Sequence, residues 1–277
     1  MTLPFVKMNG LGNDFVVVIA EDRPFAPSPD QVRAIADRAN GIGCDQLIAV
    51  AHSERAAVNM RIWNADGGEV GACGNASRCV AWLAMESMGL DRVRLETPKG
   101  LLDAWRVGDR LVTVDMGPPR LDWSEIPLSR RSDTRELAIE VTLDLRNPGA
   151  VSMGNPHVVF FVMDLERIAI DEVGPMMERH PLFPQRTNVG FAEIRGHDHI
   201  RLKVWERGVG LTQACGTGAC AALVAAHRRG LVDRAAIVEL DGGELEIDWS
   251  EVDDHVRMTG PVTIEFTGLL DCVETPA

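Results

Sequence analysis

Two stretches of this chain carry residue types that could do proton chemistry. Ala214–Ala226 reads ACGTGACAALVAA, and Ala72–Ala84 reads ACGNASRCVAWLA. In each, a cysteine stands before small residues and an alanine-rich run that predicts a helix. A thiol at the positive end of a helix dipole is expected to titrate below its usual value of about 8.5. The backbone N–H groups of Gly74, Asn75, Gly216 and Thr217 lie in the first turns, where donors without intrahelical acceptors can hold a carboxylate. With Cys73 and Cys215 on opposite faces of one carbon, one could remove a proton and the other return one, inverting that centre. The held carboxylate would take up the charge that develops when its α-carbon is deprotonated.

A cysteine is more commonly a small core residue than a catalyst, and that reading suits Cys44, Cys79, Cys220 and Cys272. The six cysteines show no CxxC spacing and no paired His pattern, so neither a metal site nor a thioredoxin-type redox centre is expected. A disulfide framework is not expected in a chain of 277 residues either.

The elements that must position these motifs can be read in order. Phe15–Ile19 is a strand, and Pro24, Pro27 and Pro29 mark a loop. Ser28 or Asp30 caps a helix over Gln31–Ala39. Asn40–Gln46 is glycine turn chemistry leading into LIAVA, and Val58–Asn64 alternates as a strand before the Cys73 helix. Val93–Glu96 and Leu111–Asp115 are further strands, and Pro118 and Pro119 close the first half. Leu121–Arg135 reads as a polar connection. The second half runs strand, turn at Gly154–His157, strand Val158–Val162 and a helix near Val173–His180. Strands at Val189–Glu193 and Ile200–Trp205 lead to the Cys215 helix, and strands near Ile237–Leu240, Leu245–Trp249, His255–Met258 and Val262–Phe266 follow.

The two halves repeat. Cys73 and Cys215 lie 142 positions apart, and the same step carries Trp63 to Trp205, Gly12–Asn13 to Gly154–Asn155, Gln46 to Asn188, Met116 to Met258 and Pro119 to Pro261. A period this long is no solenoid. It predicts a duplication, two similar domains with a pseudo-symmetric cleft between them, where ligands commonly bind. Asn13, Gln46, Asn64, Asn155 and Asn188 are neutral amides in equivalent turns, and as a matched set they suit the lining of a site for a doubly charged small molecule. The halves differ where His157 replaces Phe15 and Glu206 replaces Asn64. Both could tune the thiols, or be structural. Arg207 could bind a substrate carboxylate through its planar fork, or form a surface ion pair.

Composition limits the partners. The chain is 45% hydrophobic and 25% charged, with 28 basic against 41 acidic residues and a net charge of −13. That balance speaks against nucleic acid or an anionic membrane surface. The opening residues show neither a signal peptide nor an apolar run near twenty residues, so a cytoplasmic protein with reduced thiols is expected.

Taken together, the motifs at residues 7–15, 43–46, 63–67, 72–75, 154–157, 187–189, 205–208 and 214–219 resemble the diaminopimelate epimerase family over nearly the whole chain. The resemblance implies an α/β (α+β) fold of two pseudo-symmetric domains, each a mixed, mainly antiparallel sheet curled around a central helix. It places an N-terminal domain at 1–117, joined by a C-terminal strand at 263–277, a C-terminal domain at 118–262, and the active site in the cleft between them. It implies a cofactor-independent, homodimeric enzyme interconverting LL- and meso-diaminopimelate on the route to lysine and peptidoglycan. Cys73 and Cys215 would be the base and acid. Gly74, Asn75, Gly216 and Thr217 would hold the reacting carboxylate, and Asn13, Gln46, Asn64, Asn155, Asn188, Glu206 and Arg207 the rest of the substrate. His157 and Glu206 would adjust the thiols. The chain departs from the family pattern at Ala76 (usually Gly), Asn9 (commonly His) and Leu211 (often acidic). A proline racemase-like enzyme, a redox protein using Cys73 and Cys215, and a catalytically inactive binder of the same ligand are the competing readings.

Overall fold

The structure, a computed structural model, describes residues 2–20, 25–71 and 73–271. Pro24, Cys272 and the end of the expected C-terminal strand lie outside the described residues. Two compact units are present: one comprises the described residues of Met1–Val114 and Gly260–Ala277, the other Asp115–Thr259.

The first unit begins with β1 (Thr2–Gly10) and β2 (Asn13–Ile19), an antiparallel pair joined by a two-residue turn. Helix α1 (Pro29–Ala36) follows, then β3 (Gln46–Ala51), β4 (Val58–Asn64) and the short β5 (Glu69–Val70). Helix α2 (Gly74–Met88) leads to β6 (Arg92–Thr97), β7 (Gly100–Gly108) and β8 (Leu111–Asp115). In the second unit a small ribbon of β9 (Glu140–Thr142) and β10 (Leu145–Arg146) precedes β11 (Gly149–Ser152) and β12 (Pro156–Val162). Then come α3 (Ile170–Glu178), β13 (Asn188–Gly196), β14 (His199–Glu206) and β15 (Gly210–Thr212). Helix α4 (Gly216–His227), β16 (Ala235–Leu240), β17 (Gly243–Trp249) and β18 (Val256–Pro261) complete it. Finally β19 (Thr263–Asp271) returns to pair antiparallel with β1.

The strand orders repeat. The first unit runs β19-β1-β2-β3-β4-β6-β7-β8, with β2/β3 and β4/β6 parallel and the other neighbours antiparallel. The second runs β11-β12-β13-β14-β16-β17-β18, with β12/β13 and β14/β16 parallel, the counterparts of β2/β3 and β4/β6. Both sheets are therefore mixed and mainly antiparallel, as expected.

Each sheet wraps one helix. In α4, ten residues from Gly216 to Ala226 are buried, so the helix is apolar on all sides, as a helix enclosed by strands must be. Its packing partners include β11, β12, β13, β14, β16 and β17. Alanines at 219, 221, 222, 225 and 226 let those strands close on the helix axis. Helix α2 lies likewise against β1, β2, β6 and β7. Outer cores form on the other faces. In the first unit Val16, Val18 and Leu47 pack with Val32 and Ala36 of α1; in the second, Phe160 and Phe191 stack at 5.9 Å and pack with Val173 and Met177 of α3.

Several local expectations are adjusted. Ser28 is the cap of α1 and forms a capping box with Gln31, but the helix stops at Ala36 rather than Ala39. The Asp37 carboxylate accepts from the N–H groups of Ala39 and Asn40, an alternative that turns the chain out of the helix. The connection at Leu121–Arg135 lacks regular structure, as expected, and exposes most of its polar residues, but it also buries Ile126 and Leu128. Strand β7 is unanticipated, although the repeat carries the expected strand at Leu245–Trp249 onto it.

Candidate active site

Both cysteines stand at the N-cap of their central helices in extended backbone, Cys73 at φ −147° and Cys215 at φ −127°. The carbonyls of Cys73 and Cys215 accept from Ser77 and Ala219, each at 2.9 Å, so the two helix entries are built alike. Gly218 packs tightly beside Cys215: a Cβ there would lie 3.2 Å from the sulfur and 3.0 Å from Val204, so those neighbours would have to give way. Gly12 and Gly154, at φ 81° and 87°, make the left-handed turns that aim Asn13 and Asn155.

In the first unit, Asn13, Gln46 and Asn64 come together at the ends of β2, β3 and β4. Gln46 pairs with Asn64 across the β3/β4 ladder and donates to its Oδ1 at 2.9 Å. Gln46 Oε1 is buried and has no hydrogen-bond partner among the described residues. Asn13 donates from Nδ2 to Asp45 Oδ2 at 2.7 Å and turns its Oδ1 toward the Cys73 thiol, 3.9 Å away. Asn75 is buried, with its Oδ1 accepting from the fully buried Arg78 guanidinium at 3.0 Å.

The second unit surrounds its thiol differently. His157 Nε2 lies 3.2 Å from Asn155 Oδ1 and 3.1 Å from Thr217 Oγ1, Asn155 Nδ2 donates to Thr217 at 3.3 Å, and Thr217 Oγ1 sits 3.7 Å from Cys215 Sγ. Burial, with the Arg207 charge, pushes the His157 pKa down to about 3, so this ring is neutral near pH 7. Cys215 departs from the sequence expectation. Its pKa is raised well above the usual thiol value, first by burial and then by the Glu206 carboxylate, against the opposing pull of the Thr217 hydroxyl and the Gly218 N–H. With Cys215 only 4% exposed, desolvation of the thiolate outweighs the helix dipole. Burial likewise pushes Cys44 up to about 11 and Cys79 up to about 12, in line with their core reading. Cys220 is buried too.

Glu206 accepts from the Thr212 hydroxyl at 2.7 Å. Arg207 is exposed and donates to the Gln185 carbonyl at 2.8 Å. Asn188, expected to line the site, is 3% exposed: it donates to the Pro156 carbonyl and accepts from the Arg207 N–H, so both ends of its amide tie the loop to β12. Glu178 and Arg78 escaped the sequence reading. The buried Glu178 accepts from Trp205 Nε1 at 2.8 Å and from the Gly208 N–H at 3.2 Å, bracketing the loop that presents Glu206 and Arg207. It lies on α3, and its repeat partner is Ala36, so the duplication carries no signal for it. Among the described residues, no group of three or more His, Cys, Asp or Glu could hold a metal ion, and no helix is long and apolar enough to cross a membrane.

A duplicated sheet-and-helix fold with a cysteine at the mouth of each central helix defines the class. The same fold occurs in a hydroxyproline epimerase from Agrobacterium vitis, solved with trans-4-OH-L-proline (TM-score 0.69, 18% identity, 97% of this chain and 92% of that one). It also occurs in a phenazine biosynthesis protein of the PhzF family from Bacillus anthracis (TM-score 0.69, 16% identity, 98% and 100%). The family model described as diaminopimelate epimerase matches this chain over residues 5–121 and 149–265. Diaminopimelate epimerases of Phenylobacterium zucineum and Caulobacter vibrioides are 62% and 55% identical to it, each over 98% of both chains. The chain belongs to the diaminopimelate epimerase family.

Proposed function

We propose that the protein interconverts LL- and meso-2,6-diaminopimelate by a two-base mechanism in which Cys73 and Cys215 serve opposite faces of the substrate α-carbon. One thiolate takes the α-proton while the other thiol supplies one, and the roles exchange with direction. The observation that carries this reading is that two unlike thiols stand at matched N-caps of two enclosed helices. The helix entries at Gly74–Asn75 and Gly216–Thr217 supply the donors for the reacting carboxylate and stabilise it as charge builds up. A raised Cys215 pKa suits the proton-donating role, because that thiol is protonated at neutral pH.

The remainder of the substrate is a second zwitterion. The unpartnered Gln46 Oε1 is a buried acceptor suited to an ammonium group, and leaving it unmet costs about 1–3 kcal/mol. The exposed Arg207 fork suits the distal carboxylate. Asn13, Asn64 and Asn155 supply neutral polar lining, and Asn188 holds Arg207 in place. No cofactor enters this scheme. The same reading puts the enzyme in the cytoplasm, where thiols stay reduced, as a homodimer in lysine and peptidoglycan precursor synthesis. Sedimentation velocity tests the dimer.

Chiral chromatography of reactions with LL-diaminopimelate and with L-proline, without pyridoxal phosphate or metal, tests the substrate. Formation of meso-diaminopimelate with proline untouched is expected. Racemised proline and unchanged diaminopimelate would overturn the assignment.

A further inference from the structure

Beside Cys73 lies a charged cluster that the two-thiol scheme leaves unused. Lys7 on β1, Asp14 on β2, Arg38 in the turn after α1 and Asp45 ahead of β3 converge there. Lys7, 4% exposed, donates to Asp14 Oδ2 and to the Gly43 carbonyl. Arg38 spans both carboxylates, reaching Asp14 Oδ1 at 2.8 Å and Asp45 Oδ1 at 2.7 Å. The backbones interlock as well: the Asp14 N–H donates to Asp45 Oδ2 at 3.0 Å, and the Asp45 N–H to Asp14 Oδ1 at 2.9 Å. Two cations thus balance two carboxylates, and the pair is held on several sides at once.

The outcome of this arrangement is a single aimed group. Asp45 Oδ2, fixed by Arg38 through its other oxygen, accepts from Asn13 Nδ2 at 2.7 Å. A carboxylate accepts and cannot donate, so the amide nitrogen of Asn13 must face Asp45 and its oxygen must face away. That oxygen points at the Cys73 sulfur. An amide is nearly symmetric in shape, and without Asp45 the opposite orientation would fit the same space.

We propose that Asp45 is a positioning residue that sets the orientation of the Asn13 amide, so that Cys73 faces a carbonyl acceptor instead of an N–H donor. A carbonyl oxygen accepts from the thiol and repels the thiolate; an N–H would favour the thiolate. Asp45 therefore holds Cys73 toward its protonated, acid form and does so without touching substrate. The second half has no such device. The repeat partners of Lys7, Arg38 and Asp45 are Gly149, His180 and Thr187, and Asn155 is oriented by His157 and Thr217.

The inference rests on the two-thiol reading for its significance, but its test needs no turnover. Full-length protein kept reduced is alkylated with iodoacetamide across a pH series, and modification of the Cys73 peptide is followed by mass spectrometry. Parent, Asp45→Ala, Asn13→Ala and the double variant form a cycle; Cys79, a thiol that feels the charge of Cys73, is the same in all four. With Asn13 present, Asp45→Ala lowers the pH midpoint by roughly half to one unit. In the Asn13→Ala background the same change moves it by much less. Equal shifts in both backgrounds would mean that only the lost charge acts, and an unmoved or raised midpoint would also overturn the proposal. Should Asp45→Ala fail to fold, Asp45→Ser, whose hydroxyl is too short to reach Asn13, is read in the same way. Failure of the two-thiol reading would show separately, as turnover surviving Cys73→Ala.

Discussion

The two halves of this molecule share a backbone plan and differ in what surrounds the thiol. In the first half, half-buried Cys73 faces an amide held by a balanced set of charges from Lys7, Asp14, Arg38 and Asp45. In the second, Cys215 is enclosed by the neutral set of His157, Asn155 and Thr217, with the Glu206 carboxylate nearby. The matched positions are those that place atoms: the left-handed glycines 12 and 154, the asparagines after them, and the helix N-caps. The unmatched positions are those that set proton affinity. On the proposed two-thiol mechanism, duplication supplies the two faces of attack and divergence makes them unequal.

The largest effect should come from removing either thiol. Cys73→Ala and Cys215→Ala should each lower epimerisation by about 10²–10⁴-fold, the range for a general acid or base, while circular dichroism shows both proteins folded. Full activity in either variant would break the pairing of the halves.

A smaller change sharpens the electrostatic contrast. Replacing Glu206 by Gln removes the carboxylate that, after burial, raises the Cys215 pKa. The pH midpoint for alkylation of Cys215 should therefore fall, and an unchanged midpoint would leave burial as the sole cause.

The smallest effect concerns stability. His157 is neutral in the folded protein, with its pKa pushed down from 6.5 to about 3 by burial and then by Arg207. The unfolded chain binds a proton below about pH 6.5 that the folded one refuses, so this contribution is full above pH 6.5 and is lost as pH falls toward 3. In His157→Gln, the decline of urea-unfolding free energy over that window should be shallower, by at most about 1.4 kcal/mol per pH unit. The same decline in both proteins would show that the ring is not buried neutral.

Much of this was legible in the sequence because the halves repeat. Cys73, Cys215 and the amides at 13, 46 and 155 stand out by matched spacing, and the mixed sheets around central helices follow from the family resemblance. What escaped has no counterpart in the other half or depends on burial. Glu178 stands opposite an alanine, and Asp45 opposite a threonine, so neither is marked by the repeat. The upward shift of Cys215, opposite to what its place at a helix N-terminus predicts, has a related cause. A helix N-terminus can be read from ACGTGA, but the enclosure that desolvates the thiolate is a property of the folded protein. Asn188 matches Gln46 in the repeat, and the fold adds what the spacing does not carry: its amide bonds β12 through the Pro156 carbonyl and the loop through the Arg207 N–H.

The most direct test of two unlike thiols serving one carbon is the fate of the α-hydrogen at early times. Reduced enzyme is given LL-diaminopimelate in D₂O, without pyridoxal phosphate or metal, and product and recovered substrate are separated before a tenth of the reaction has passed. Two bases predict that meso product carries one solvent deuterium at the inverted centre while recovered LL substrate remains protiated. Deuterium appearing equally in recovered substrate, or meso product that keeps its original hydrogen, would contradict the account.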